Sequence, residues 1–285
     1  MKNNILFTIF FIFFANPLIA ESLKIESSSI SIDKKSKLTI FKDQVKAIDN
    51  KNNIFISEYA EYNKELQLLS SKGDAKIVTS EGYTLFGKNI IFDNKNKSIK
   101  SNFPAKIIDL QKNQIYLQKF EYSTSNNFFK SVGEIKIEDS KNNIYNFSQI
   151  YIDEKKREII GTDAKAFINQ KDFKSNDLNK PRVFSNTIKI NEQQSEFTKS
   201  IFTPCNYREN DKCPPWSLQA KRMRHDKIKK TIYYDNAVIK VFDIPVLYLP
   251  YLSQPDPTVE RRSGFLNPSF SDSKNLGMGF EIPYF

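Results

Sequence analysis

Residues 74–109, DAKIVTSEGYTLFGKNIIFDNKNKSIKSNFPAKIID, decide how the whole chain is read. Ala75-Lys76-Ile77-Val78-Thr79 alternates apolar and polar side chains, the period-two pattern of a strand with one dry and one wet face. Asp93-Asn94-Lys95-Asn96 then supplies a tight corner, and the pattern restarts at Ala105-Lys106-Ile107. Working outward, the same pattern recurs at Val45-Lys46-Ala47, Ile135-Lys136-Ile137 and Ala164-Lys165-Ala166, so the five copies fall at steps of 30, 30, 30 and 29 residues. A second recurrence runs through Tyr62, Phe92, Tyr122 and Ile152, each followed by turn formers such as Asn63-Lys64-Glu65, Ser123-Thr124-Ser125-Asn126 and Asp153-Glu154-Lys155-Lys156.

Self-similarity at a fixed period of this size identifies a stacked repeat, with five units over residues 37–170. No stretch sustains a helical period. With only eight glycines, the corners must be made by Asn and Asp, which tolerate the backbone that tight turns need. The expected architecture is all-β: short antiparallel strands, two to four per unit, stacked as a jellyroll or open β-solenoid.

The N-terminus carries a targeting pattern. Met1-Lys2-Asn3-Asn4 precedes an apolar run over residues 5–15 and then Asn16-Pro17-Leu18-Ile19-Ala20, which reads as a secretory signal over residues 1–20 cut after Ala20. Leu18 is a less usual residue at its position, leaving an uncleaved anchor as the alternative. Either way the remainder leaves the cytoplasm. The net charge of +10 would otherwise suggest nucleic acid, a membrane surface or an acidic ligand. Export argues against nucleic acid, and the abundance of Lys, Asn, Ile and Phe is itself the mark of a low-GC coding bias. The remaining charge suits a phosphorylated lipid without requiring one.

Alternation places Val45, Ala47, Ala75, Ile77, Ala105, Ile107, Ile135, Ile137, Ala164 and Ala166 on one side and the intervening lysines on the other. Two readings stand: these side chains fill an ordinary core, or, being small, they leave an apolar groove along the stack. A stack that does not close also leaves edge strands, and Leu23-Lys24-Ile25 with Ser29-Ile30-Ser31-Ile32 could form one.

Repetition fades after residue 170. Residues 171–182 read as a polar loop, strands resume at Thr187-Ile188-Lys189-Ile190, and residues 231–242 read as a strand pair turning at Asp235-Asn236. Cys205 and Cys213 are the only cysteines, and in an exported chain an even count suggests a disulfide that staples a short local loop. Two thiolates and the lone, remote His225 do not complete a four-ligand metal site, so no metal or other cofactor is expected. No enzyme constellation is present either: glycine-rich phosphate loops and a serine elbow are missing, and pairs such as Glu138-Asp139 sit at turn edges as solvated charge.

The chain changes character at residues 241–270, VFDIPVLYLPYLSQPDPTVERRSGFLNPSF, where prolines at 245, 250, 255, 257 and 268 make a central sheet strand a poor assignment and an edge or linker path a better one. Several spaced motifs here and just upstream carry a resemblance: Pro215-Trp216-Ser217, His225-Asp226, Thr231-Ile232-Tyr233-Tyr234, Pro245-Val246, Tyr248-Leu249-Pro250-Tyr251, Pro255-Asp256-Pro257-Thr258 and Arg262-Ser263-Gly264-Phe265-Leu266. Together they resemble the junction between periplasmic domain and outer-membrane barrel in the organic solvent tolerance (OstA-like) family, the LptD type of lipopolysaccharide-assembly protein. The repeats are similar in style to that family's β-jellyrolls.

The resemblance implies a periplasmic jellyroll over residues 21–240, a Pro-rich junction over 241–263 and the first strands of an incomplete barrel over 264–285, since bacterial barrels begin at eight strands. It implies lipopolysaccharide as ligand, with acyl chains in the jellyroll groove, phosphates following basic residues, and Arg261 and Arg262 meeting phosphates or headgroups at the membrane boundary; positive flanking of an interfacial segment is the alternative for those two. Implied partners are a periplasmic bridge jellyroll of the LptA type, docking by edge-strand addition, and an outer-membrane lipoprotein of the LptE type. The family's pattern has cysteines bridging to the far end of the barrel, so Cys205 and Cys213 pair with each other or with partners elsewhere. A free-standing periplasmic carrier of the same fold and a β-repeat scaffold without lipid remain the other readings.

Overall fold

The computed structural model describes residues 23–50, 52–140, 142–168, 181–205, 214–255, 259, 269–273 and 277–284. All regular structure in them is strand. The order is β1 (Lys24–Glu26), β2 (Ser29–Asp33), β3 (Leu38–Ile48), β4 (Ile54–Asn63), β5 (Leu68–Ser71), β6 (Asp74–Val78), β7 (Thr84–Lys88), β8 (Ile91–Asp93), β9 (Ser98–Ser101), β10 (Ala105–Ile108), β11 (Gln114–Leu117) and β12 (Phe120–Ser123). Longer strands follow: β13 (Phe128–Glu138), β14 (Ile144–Asp153), β15 (Glu158–Phe167), β16 (Arg182–Ile190), β17 (Gln194–Thr203), β18 (Trp216–Asp226), β19 (Thr231–Val241) and β20 (Ile244–Pro255). A separate hairpin, β21 (Ser269–Ser273) with β22 (Gly277–Glu281), ends the described chain.

β1 to β20 form one continuous antiparallel sheet folded in two along a crease. The division shows at β4, whose first half pairs with β6 while its second half pairs with β5. From there β6, β7, β10 and β11 build one limb, and β5, β8, β9 and β12 build the other, until β13 spans both again. β13 to β20 each cross the crease in a single bent strand. The limbs face each other, so Ala47, Phe55 and Ile77 of one share a core with Phe41, Ala60 and Leu69 of the other.

Corners recur with the sequence period, and each uses left-handed backbone. At the crease these are Asp43, Gly73, Gly133 and Asp163; at the outer turns of one limb Asn52, Gly82, Lys112 and Asn142; at those of the other Lys37, Gln67, Lys97, Asn127 and Arg157, all with positive φ. A Cβ costs roughly 1–2 kcal/mol in that region, so most of these corners are held by their neighbours rather than by preference. The holding contacts are visible. Asp49, Asp109 and Asp139 each accept the amide of the residue four on at 2.8 Å, and successive turns are tied by Asn94 N to Gln67 O, Thr124 N to Lys97 O and Glu154 N to Asn127 O at 2.8–3.0 Å.

The crease has its own polar bookends. Buried Ser101 and Ser131 donate to the carbonyls of Lys88 and Lys119, each at 2.7 Å, while Ser71 accepts the Ile90 amide at 2.8 Å. A sharp bend interrupts the backbone ladder, and these hydroxyls satisfy groups that the interruption leaves over.

Two sequence expectations change, and the edge reading of the Pro-rich stretch gains a partner strand. Residues 231–242 form no strand pair: β19 runs unbroken from Thr231 to Val241, and Asn236 is its crease bend, with φ of 52°. Strands resume at Arg182 rather than Thr187, and Arg182 itself is fully buried. Within the stretch read as junction, β20 is hydrogen-bonded to β19 as the last strand of the folded sheet. Pro245, Pro250 and Pro255 are tolerated there because, among the described residues, the strand has a partner on one side only. The signal segment, residues 169–180 and the first part of the barrel-like stretch lie outside the described residues.

Two stability outcomes follow. Lys112→Gly should leave stability unchanged or raise it by up to about 1 kcal/mol in urea unfolding, whereas Lys112→Val should lower it by about 1 kcal/mol. Ser131→Ala should cost about 1–3 kcal/mol, since it strands a carbonyl at the crease.

Candidate functional site

Each limb presents two inward rows to the other. On the first limb the row farther from the crease reads, in register, Ala47, Phe55, Ile77, Leu85, Ile107, Ile115 and Ile137. Opposite it run Leu69, Phe92, Ile99, Tyr122, Phe129 and Ile152. At the spacing of neighbouring strands, seven register partners extend roughly 30 Å. Between the rows lies an open cavity of about 460 Å³, lined by both of them and by Leu117, Phe120 and Ile150 beneath. This is the size range of pockets that bury small ligands, and the walls are almost wholly apolar below the mouth.

The sequence-derived inner residues divide between two places. Ala47, Ile77, Ile107 and Ile137 line the cavity. Val45, Ala75, Ala105, Ile135 and Ala164 are buried nearer the crease, where the limbs converge and small side chains let them do so. Ala166 is half-buried and outside the cavity lining. The opening therefore comes from the splay of the limbs beyond the crease, and the wall is made by larger residues than the small aliphatics alone.

Outward lysines do not reach the cavity. Lys76 lies over the Phe86 ring at 5.6 Å and Lys106 over Tyr116 at 5.3 Å, both on the outer face. The described charged residues lining the mouth are Asp49, Glu81, Asp93 and Glu154, with Lys97 as the one cation among the described lining residues. This differs from the expectation that basic residues line the path. Asp93 is occupied in its turn, accepting the Asn96 amide and side chain at 2.9 and 2.8 Å; those bonds hold its carboxyl below the usual range against the opposing effect of burial. Tyr122 donates to Glu154 Oε2 at 2.9 Å. Glu154 is exposed at its tip, yet partial desolvation raises its pKa, Tyr122 opposes the rise, and Glu81 adds to it. Sequence reading passed over Glu81, Tyr83, Tyr122 and Glu154 as a group.

The cavity lining runs from Leu23 to Glu154, and no residue of β16 to β20 belongs to it. In that second half a separate core packs Leu218, Ala220, Met223, Tyr234, Ala237 and Ile239. Polar side chains also enter the inner row there: Ser195 pairs in register with His225, and Gln254 Nε2 donates to the Tyr234 hydroxyl at 2.7 Å. No group of three or more metal-ligating side chains occurs among the described residues. Cys205 is half-buried, its thiol pushed up chiefly by burial, and its amide donates to Thr203 Oγ1 at 3.2 Å. Cys213, Arg261 and Arg262 lie outside the described residues.

No family profile matches the chain. It is similar to curated LPS-assembly proteins named LptD: 30% identical over 123 residues to that of Idiomarina loihiensis, 38% over 77 residues to that of a Shewanella species, and 37% over 70 residues to that of Francisella tularensis subsp. novicida. These matches cover 43%, 26% and 25% of this chain but 16%, 10% and 8% of those proteins, so the chain spans only a small part of the relatives' length. Among solved structures, LptH of Pseudomonas aeruginosa, the LptA-homologous periplasmic component of a lipopolysaccharide transport device, aligns with 47% of this chain and 76% of its own, at 11% identity and a TM-score of 0.21.

The rim carboxyl yields a pH test. With its folded pKa raised, ionised Glu154 costs stability at neutral pH, and the cost disappears as pH falls through the raised value. Because the group is exposed and screened, the effect is small. Glu154→Gln should raise the melting temperature by about 1–2 °C at pH 7 and leave it unchanged near pH 3.5, measured by differential scanning calorimetry.

Proposed function

We propose that this chain is the periplasmic portion of an outer-membrane lipopolysaccharide-assembly protein, and that it carries lipopolysaccharide with the acyl chains held between its two limbs. The observation that carries this reading is the open slot between facing apolar rows, about 460 Å³ in volume, beneath a mouth lined by polar and charged side chains. Apolar surface lining a water-open slot is costly unless something apolar occupies it, and a long flexible chain fits a trough built by strand repetition. The similarity to LptD proteins supports lipopolysaccharide as that lipid. The work is conveyance, with no covalent step.

Further parts of the reading follow from position. Among the described residues β1 and β2 have a strand on one side only, an edge at one end of the stack suited to strand addition by a bridge protein of the LptA type. At the other end β20 exposes Ile244, Val246, Tyr248 and Tyr251, and the β21–β22 hairpin follows it; this end faces the outer membrane and leads into the barrel, beside a lipoprotein of the LptE type. Arg261 and Arg262 contact phosphates at that boundary, and Cys205 pairs with Cys213 or with a cysteine beyond this chain.

Photocrosslinking tests the slot. With p-benzoylphenylalanine at Ile77 or Ile107, irradiation in the presence of lipopolysaccharide should give a lipid adduct, and the same probe at Lys76 or Lys106 should give at most a tenth as much, judged by immunoblot. Equal labelling of both faces, or labelling from the lysines alone, would remove the basis for the reading.

A further inference from the structure

The acidic mouth has a sequence history inside the repeat. Residue 81 stands where the neighbouring units have Lys51, Gln111 and Lys141, and residue 154 stands where they have Lys34, Lys64, Asn94 and Thr124. In each of these two columns the repeat places a glutamate once, and the two glutamates belong to opposite limbs. The turn that carries Glu81 departs from its relatives in two further ways: Thr79 replaces the aspartate found at 49, 109 and 139, and Tyr83 replaces the asparagine found at 53, 113 and 143.

Folding brings these departures to one place. Glu81 and Tyr83 from the first limb, and Tyr122 and Glu154 from the second, all line the mouth of the same apolar cavity. Tyr122 holds Glu154 by the 2.9 Å hydrogen bond, which fixes one carboxylate at the edge. Glu81 is exposed opposite it. Two lysines stand nearby, Lys97 with Nζ donating to Asn94 Oδ1 at 2.9 Å and Lys155 to Ser125 O at 3.4 Å; among the described lining residues, Asp49, Glu81, Asp93 and Glu154 outnumber Lys97. Asp109 adds a further negative charge near Tyr83. A chain with ten excess positive charges thus presents a negative rim at the point where a headgroup must emerge from the slot.

We infer that Glu81 and Glu154, the latter positioned by Tyr122, select among the headgroups of amphiphiles in the slot: bare phosphate monoesters are disfavoured, and headgroups whose phosphates are charge-compensated, internally or by a divalent cation, are admitted. This inference rests on the lipid-slot reading. Its physical basis is like-charge repulsion across a partly solvated mouth of low-dielectric wall, an effect on the order of tenfold in affinity for a doubly charged headgroup at low ionic strength. A phosphorylated lipid would therefore travel past this rim with its phosphates neutralised.

Isothermal titration calorimetry on the whole chain, at low ionic strength and below micelle concentrations, gives the test. Dodecylphosphocholine and dodecyl phosphate share a tail and differ in headgroup charge. The chain should bind the zwitterion about tenfold more tightly than the phosphate, and millimolar Mg²⁺ should close most of that gap. In the Glu81→Gln/Glu154→Gln double variant the gap should shrink to about twofold without Mg²⁺, chiefly because dodecyl phosphate gains affinity. A gap that persists in the double variant, or one that Mg²⁺ leaves intact in the parent chain, overturns the rim inference alone. An Ile107→Trp variant, which fills the slot, should abolish both affinities. If it abolishes neither, or if neither amphiphile binds the parent chain, the slot reading fails and the rim inference with it.

Discussion

Every long strand of this protein must change direction halfway along, and the structure depends on its ability to do so at the same height in each repeat. An antiparallel sheet can bend sharply only where the ladder gives up a register step, and the backbone at that step enters the left-handed region at Asp43, Gly73, Gly133, Asp163 and Asn236. Register shifts accompany the bends, as between Lys42 and Val45 and between Val132 and Ile135. The hydroxyls of Ser71, Ser101 and Ser131 take up backbone groups at these interruptions. Without an aligned crease the two limbs would diverge from unit to unit, and no continuous slot could lie between them.

Alignment of the crease also sorts side chains by size and depth. Near the fold line the limbs are close, and Ala75, Ala105, Ala164 and the serines fit there with little exposed surface. Farther out the limbs separate, and Phe55, Leu85, Phe92, Phe129 and Ile152 face a gap they do not fill. The gap survives because its walls are hydrogen-bonded sheets whose spacing is fixed by the crease rather than by mutual contact. Charge follows a separate logic: lysines of the repeat alternate with aromatics on the outer face, leaving the rim to the turns, where Glu81 and Glu154 stand.

The second half is built by the same bend but with different contents. Ser195 and His225 occupy inner positions, and Tyr234 is buried against Met223 and Leu252 with its hydroxyl capped by Gln254. A filled, partly polar interior stabilises the end of the stack and supports β20 as an edge. It also makes the cavity a feature of the repeat region, bounded at Ile152 and Glu154.

Period-two alternation, the thirty-residue spacing and the Asp- and Asn-rich corners are properties of short segments, so the amino-acid sequence alone determined the all-β class, the unit length and which side chains point inward. It also marked β20 as an edge through its prolines. The depth of each inward residue was decided only by the tertiary structure, because Ile77 and Ala75 share a face and differ solely in their distance from the crease. Residues 231–242 misled for a related reason: Asp235-Asn236 is turn-forming chemistry, and the fold uses it for a bend within one strand. The acidic rim lay furthest from view, since Glu81 and Glu154 belong to distant units on opposite limbs and meet only when the sheet is folded, a non-local consequence of packing that no local pattern encodes.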